Sequence, residues 1–419
     1  MPTVASFALT RHEIAGVPVA DLAQQFGTPA YIYDAAKIVE RINDLKAFDV
    51  VRFAQKACSN IAILDLMRRQ GVVVDAVSAG EVHRALKAGF ATHGSPHPIV
   101  YTADIFDREA LETVVQHKLH VNVGSPDMID QLGAVSPGHG ITLRINPGFG
   151  HGHSQKTNTG GESSKHGIWH EQVGECMLRA DRHGIMVTGI HMHIGSGTDL
   201  EHLAQVCGAM EKTIDEVGRS ITTISAGGGL PVPYQATQTY VDLDEYYKLW
   251  DATRKRVEQR LGHKITLELE PGRYLVAESG YLISEIRAIK QSGGNTFYLL
   301  DAGFNNLARP ILYGSYHPMS IAVGSDRPLN DVVVGGPLCE SGDIFTQEEG
   351  GLVCRRSLPV AAVGDLLVIE VAGAYGSVMA SNYNSKPLAP EVLVQNGRAK
   401  LIRVRQTLDD LIRGEVIPV

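Results

Sequence analysis

The chain has no excess of basic residues. Its 38 Lys and Arg are outnumbered by 46 Asp and Glu, giving a formal net charge of -8. No basic patch stands out to neutralise phosphates, which argues against a nucleic-acid partner. No apolar run approaches the roughly 20 residues that span a bilayer. The N-terminus lacks the charged-then-apolar order of a secretory signal. Cysteine is scarce and scattered, at Cys58, Cys176, Cys207, Cys339 and Cys354. An odd set without a CxxC pair fits a reducing cytoplasm better than a disulfide framework, and argues against a thiolate zinc site. No GxxxxGK[ST] phosphate loop, internal repeat or low-complexity tract is present.

What is present is ordinary for a globular protein, with 44% hydrophobic and 20% charged residues. A length of 419 residues exceeds one ordinary core and accommodates two domains. From about residue 30 to 277, apolar runs alternate with amphipathic stretches such as Ile61–Arg69, Gly80–Ala88 and Leu203–Val217. The runs are Ala30–Tyr33, Val50–Gln55, Val72–Val77, Ile99–Thr102, His120–Val123, Ile141–Asn146, Thr188–Ile194, Thr223–Ala226 and Ile265–Glu270. This alternation predicts a parallel sheet, in an α/β fold of the (βα)8 TIM-type barrel. A doubly wound open sheet is the alternative. The barrel is preferred because polar and glycine-rich motifs follow many strands, and a barrel gathers those ends at one mouth. From 278 to 419 the pattern changes to strands separated by Gly and Pro clusters, which predicts a C-terminal antiparallel β domain. The strands expected there are Tyr281–Gln291, Thr296–Asp301, Val332–Gly335, Leu366–Val371, Val392–Val394 and Leu401–Arg405. The long polar stretch Asn146–Gly167 reads as a functional lid, with a mobile surface segment as the alternative.

Several residues carry potential chemistry. Lys56 ends the run Val50–Gln55, so a buried, nucleophilic amine is expected there. The bland alternative is a snorkelling surface lysine. Gly227, Gly228 and Gly229 follow a strand and let backbone N–H groups approach an anion, or simply make a tight turn. Glu270 precedes the Pro271-Gly272-Arg273 turn, where a carboxylate can pair with a pyridinium nitrogen and an arginine can fork a carboxylate or phosphate. His191 and His193 lie on one face of a strand. A zinc pair would need further ligands from later strands, and His263 and His317 are poorly placed to supply them, so no metal is expected. Cys339, beside Glu340, offers a proton donor, or a small buried hydrophobe. Arg309, Tyr313 and Tyr375 add a cation and two phenols.

Taken in order, these motifs resemble those of the diaminopimelate decarboxylases, pyridoxal-phosphate enzymes of the alanine racemase and ornithine decarboxylase fold type. The matching stretches are Phe53–Ala57, Ser78–Glu81, His191–Ser196, Gly227–Gly229, Glu270–Arg273, Cys339–Ser341, Gly373–Tyr375 and Asn382–Asn384. The resemblance runs from Tyr31 to about Leu393. It implies an N-terminal barrel, a β domain that takes in residues 1–29, and a homodimer with active sites between subunits. By the same resemblance, Lys56 bonds pyridoxal 5'-phosphate covalently, His193 stacks on its ring and Glu270 pairs with its nitrogen. Ser196, Gly227, Gly228, Gly229, Gly272, Arg273 and Tyr375 complete the cofactor site. Arg273, Arg309, Tyr313, Glu340 and Tyr375 bind an amino-acid substrate. Cys339 and Glu340 come from the partner, with Cys339 as proton donor. The implied reaction converts meso-diaminopimelate to L-lysine and carbon dioxide at the D-configured centre. One departure is Ser164-Lys165-His166-Gly167, where many relatives carry Phe in place of His166, and no role is assigned to that histidine. Rival readings are a decarboxylase of ornithine, arginine or lysine, a cofactor-free regulator, and a zinc hydrolase. The pair Arg273 and Arg309 favours a substrate with a distal carboxylate.

Overall fold

The computed structural model describes residues 4–150, 160–193, 199–218, 221–324 and 326–418. The chain forms two compact units, one of residues 41–231 and 241–274, the other of residues 1–40, 232–240 and 275–419. Among the described residues no helix is long and apolar enough to cross a membrane.

The first unit is a closed parallel barrel. Its strands are β1 (Val50–Ala54), β2 (Val73–Ala76), β3 (Ile99–Ala103), β4 (His120–Val123), β5 (Gly140–Asn146), β6 (Met186–His191), β7 (Thr223–Ser225) and β8 (Thr266–Leu269). Each pairs in parallel with the next, and β8 returns to β1 through Glu268 opposite Val50 and Leu269 opposite Val51. Strands covered on both faces read as continuous apolar runs, which is why they are legible in the sequence. A helix follows each of β1 to β7. Polar caps start several of them: Asn60 accepts from the Ala62 amide, Ser78 from Glu81 and Asp107 from Ala110. Gly184 and Gly262 end two others in the left-handed conformation. The helix Ile61–Arg69 buries Ile63, Leu64, Leu66 and Met67 as one stripe.

The second unit is built on a mixed sheet. The strand Ala30–Asp34 lies between Gly280–Ser292, antiparallel to it, and Glu391–Gln395, parallel to it. Ile14, Val19, Leu22, Ala30, Ile32, Ile283, Val368, Val392 and Val394 form one of its cores. One expectation is corrected here. Ala30–Tyr33 is not a barrel strand, because its register partners are Gly280–Ile283 and Glu391–Val394. The β unit is mostly antiparallel, as expected, with Asn295–Leu300 running parallel to Leu329–Gly335.

Candidate active site

Parallel barrels gather the C-terminal ends of their strands at one mouth. Glu270 follows β8 there and is 6% exposed. Its Oε2 lies 2.8 Å from His191 Nε2, at the end of β6. Its Oε1 accepts from Ser225 Oγ at 3.0 Å, at the end of β7, and from Asn122 Nδ2 at 3.4 Å, in β4. Burial alone would raise its pKa. His191, Arg52 and Ser225 outweigh burial and hold the carboxyl ionised, at about 2. A second buried acid, Asp75 of β2, behaves oppositely. Burial pushes it well above the usual carboxylate range, the Glu270 charge adds to this, and Thr102 and Lys56 only partly oppose it. The two neighbouring buried acids are thus shifted in opposite directions, Asp75 toward holding its proton and Glu270 toward the charged form. Among the described residues Asp75 Oδ1 has no hydrogen-bond partner.

The sequence expectation for Lys56 needs correction. β1 ends at Ala54, one residue before the expected Gln55, and the tight turn Gln55–Ala57 carries Lys56 outward. Lys56 is exposed, between the buried Gln55 and Ala57. Its amine still lies within electrostatic reach of Asp75, Glu81 and His193. The turn is laced to the Glu270 loop, because the Ala54 amide donates to the Pro271 carbonyl at 3.2 Å. A Cβ on Gly272 would sit 3.2 Å from both the Ala54 carbonyl and the Ala57 Cβ. Amine and carboxylate are thereby held in one framework.

His193 is half-buried, and desolvation pushes it well below the ordinary histidine value, with Arg144 and Lys56 adding to the shift. It is neutral, and its Nδ1 accepts from the Gly228 amide at 2.8 Å. The Gly227 amide donates to Ser225 Oγ at 3.1 Å. Two of the three glycine amides therefore serve the protein itself. A Cβ on Gly227 would run into the Met192 carbonyl, and one on Gly228 would meet the Glu270 carbonyl at 2.5 Å. Only glycine lets these strand ends approach so closely. Ser196 lies outside the described residues, as do residues 151–159 of the expected lid. The described ends of that stretch are pinned. Asn146 Oδ1 accepts from the Gly148 and Gly161 amides, at 3.1 and 2.9 Å. His166 Nδ1 lies 2.6 Å from Asp104 Oδ2, and the Gly167 amide donates to Asp104 Oδ1 at 2.9 Å. His166 is thus a tether to the end of β3.

In the β unit, Arg309 and Tyr313 begin and end the helix Arg309–Tyr313, with Arg309 buried and Tyr313 half-buried. Cys339 and Glu340 are exposed neighbours in one loop. Asn384 Oδ1 accepts from the Cys339 amide at 2.7 Å, and buried Asp343 takes the amides of Leu338 and Phe304. Tyr375 has a φ of 56°, a strained value for a tyrosine. It is flanked by Gly373 and Gly376, where a Cβ would collide with the Val276 carbonyl and the Ala372 carbonyl. Arg273 begins the short helix Arg273–Val276 and is half-buried.

These residues fit a flat, anionic cofactor bearing an aldehyde. An ionised carboxylate in the interior suits a cationic ring nitrogen, a neutral imidazole suits a ring face, and the amine of Lys56 suits the aldehyde. A zinc pair on His191 and His193 is disfavoured by His193, whose Nδ1 lone pair takes the Gly228 amide, which leaves the proton of the neutral ring on Nε2. The sequence reading missed Asn122, Ser225 and Asp75, and weighed His191 only as half of a possible zinc pair. The available signal was position, since all four lie at or near the C-terminal ends of barrel strands.

Comparison with known proteins bears on this arrangement. Residues 35–277 match the pyridoxal-dependent decarboxylase, pyridoxal binding domain family. The chain is 56% identical over 401 residues to the diaminopimelate decarboxylase of Escherichia coli K12, covering 94% of this chain and 96% of that one. It superposes on a crystal structure of a diaminopimelate decarboxylase with a TM-score of 0.91 at 56% identity, covering 94% of each chain. The Helicobacter pylori diaminopimelate decarboxylase complexed with L-lysine gives a TM-score of 0.84 at 31% identity, over 94% of this chain and 98% of that one.

Proposed function

The chain belongs to the diaminopimelate decarboxylase family, and on that premise we propose that it decarboxylates meso-diaminopimelate at the D-configured centre to give L-lysine, the last step of lysine biosynthesis. The observation that carries this reading is the buried, ionised Glu270, held by donors from three strands and laced to the turn of Lys56. Bound there, pyridoxal phosphate supplies an electron sink for the electron pair left when carbon dioxide departs. The chain's own residues prepare the rest. Lys56 provides the amine that holds the cofactor until substrate arrives. Glu270 keeps a proton on the ring nitrogen. His193, neutral and flat, covers one ring face. Gly229, Gly272, Arg273 and Tyr375 contribute to the phosphate end, together with Ser196.

Substrate recognition needs cations for two carboxylates and an acid for the distal amine. Arg273, Arg309 and Glu340 have those charges, with Tyr313 and Tyr375 as hydrogen-bonding phenols. Cys339 delivers the proton that replaces carbon dioxide, from a fixed side, which sets the stereochemistry. We assign Cys339 and Glu340 to the site of a second copy of the chain, so the working form is a homodimer. The exposure of both residues in a single chain supports this. Sedimentation velocity should then give about twice the 45.3 kDa of one chain. A monomer of full activity would end the proposal. Five free cysteines support a cytoplasmic setting, and recovery of the native protein from an oxidising compartment would contradict it.

The deciding experiment is lysine formation from meso-diaminopimelate by purified protein, with and without added pyridoxal phosphate. Lysine should appear, and its rate should fall with removal of the cofactor. No lysine from a fully loaded protein would overturn the substrate, and ornithine, arginine and lysine would then be tried.

A further inference from the structure

A chain of oriented contacts in the β unit ends on Arg309. The guanidinium is buried, 5% exposed, and its Cζ lies 4.8 Å from the centroid of the Tyr234 ring. Its Nη1 lies 2.9 Å from Nε2 of His317. On the other side of that imidazole, Nδ1 lies 3.0 Å from the carbonyl oxygen of Glu370. The Tyr234 and His317 rings meet edge to face, 5.4 Å apart. A carbonyl oxygen only accepts and a guanidinium only donates. The imidazole proton must therefore sit on Nδ1, leaving the Nε2 lone pair for Arg309. An imidazolium would instead aim a second N–H at the guanidinium. His317 is fully buried, so water is not at hand to take over either contact.

The far end of this chain is fixed as well. The Glu370 amide donates to the Pro318 carbonyl at 2.8 Å. Its carboxylate takes a fork from Arg11, at 2.8 and 3.0 Å, and a bond from Ser320 Oγ at 2.7 Å. The carbonyl that selects the His317 tautomer is thus held on both sides of its residue.

We propose that His317 is a positioning residue for Arg309, orienting the guanidinium toward the distal carboxylate of the substrate. This rests on the reading above, in which Arg309 binds that carboxylate. A carboxylate in the place of His317 would orient the fork but cancel its charge through the contact. A neutral imidazole orients it without neutralising it. The preference for a substrate with a second carboxylate, over a monocarboxylic diamino acid, then depends in part on a residue that touches no substrate.

The test uses the cofactor-loaded protein and four variants: His317→Phe, His317→Gln, Arg309→Ala and the double variant His317→Phe with Arg309→Ala. Phe fills the space but accepts nothing, whereas the Gln oxygen reaches the place of Nε2. His317→Phe should raise KM for meso-diaminopimelate by roughly 10- to 100-fold, the scale of losing a hydrogen bond to a charged group, with a much smaller change in kcat. His317→Gln should recover most of that loss. The double variant should be no worse than Arg309→Ala, because both changes remove one function. An unchanged KM in His317→Phe, or full additivity in the double variant, overturns the proposal. A separate readout needs no turnover. Nitrogen NMR of labelled histidine should show His317 neutral, with its proton on Nδ1, between pH 6 and 8. A charged ring or the other tautomer overturns the proposal even in an active enzyme. If the wild-type chain makes no lysine but shows this tautomer, the substrate reading fails while the orientation of Arg309 stands.

Discussion

Replacing Lys56 by alanine is expected to lower turnover by roughly a thousandfold or more, the scale of losing a covalent catalytic group. The fold should survive. Lys56 is exposed on the turn Gln55–Ala57, whose neighbours carry the packing, so truncation leaves no cavity. Two measurements separate this result from misfolding. Far-ultraviolet circular dichroism and thermal unfolding should match the parent chain. Borohydride reduction should fix the cofactor to Lys56 of the parent, read by peptide mass, and should label nothing in the variant. Parental turnover in Lys56→Ala would remove the central element of the mechanism.

The second large effect is expected at Glu270. Glu270→Gln keeps shape and burial but removes the charge that would hold a proton on the ring nitrogen. Turnover should fall by roughly 100- to 1000-fold, the scale of losing one preorganised electrostatic partner. The same change has a stability signature with a definite sign. The folded-state pKa of Glu270 lies below its unfolded value, so its charge stabilises the fold above about pH 4.5 and that contribution is lost toward about pH 2. In cofactor-free protein, Glu270→Gln should therefore lower the unfolding temperature at pH 7, with the gap to the parent closing below pH 4. A gap that widens on acidification would mean that the carboxyl is not held ionised.

The barrel was legible because each of its strands is covered on both faces and reads as an apolar run. That same property misplaced Ala30–Tyr33. A strand buried on both faces looks alike in any sheet, and its partners lie about 250 and 360 residues away, at Gly280–Ile283 and Glu391–Val394. Local pattern carries no information about such pairing. The environment of Lys56 was misjudged for a smaller reason. Strand propensity does not tell that β1 stops at Ala54, and one residue of register reverses the direction of a side chain. Glu270 was legible through its Pro-Gly turn, but its keepers were not. Asn122, His191 and Ser225 are unremarkable polar residues in their own segments, and only closure of the barrel brings them onto one carboxylate.

The position of Ala30–Asp34 has a consequence for the nascent chain. All eight barrel strands have left the ribosome once residue 269 has, whereas this early strand waits for Glu391–Gln395 to complete its second edge. At about 5–20 residues per second the additional delay is on the order of ten seconds. During that interval Ala30, Tyr31, Ile32 and Tyr33, all buried in the finished fold, present an apolar segment with an unpaired edge. Protection by holding chaperones during synthesis is therefore needed most by the first forty residues, the earliest made and among the last to be enclosed.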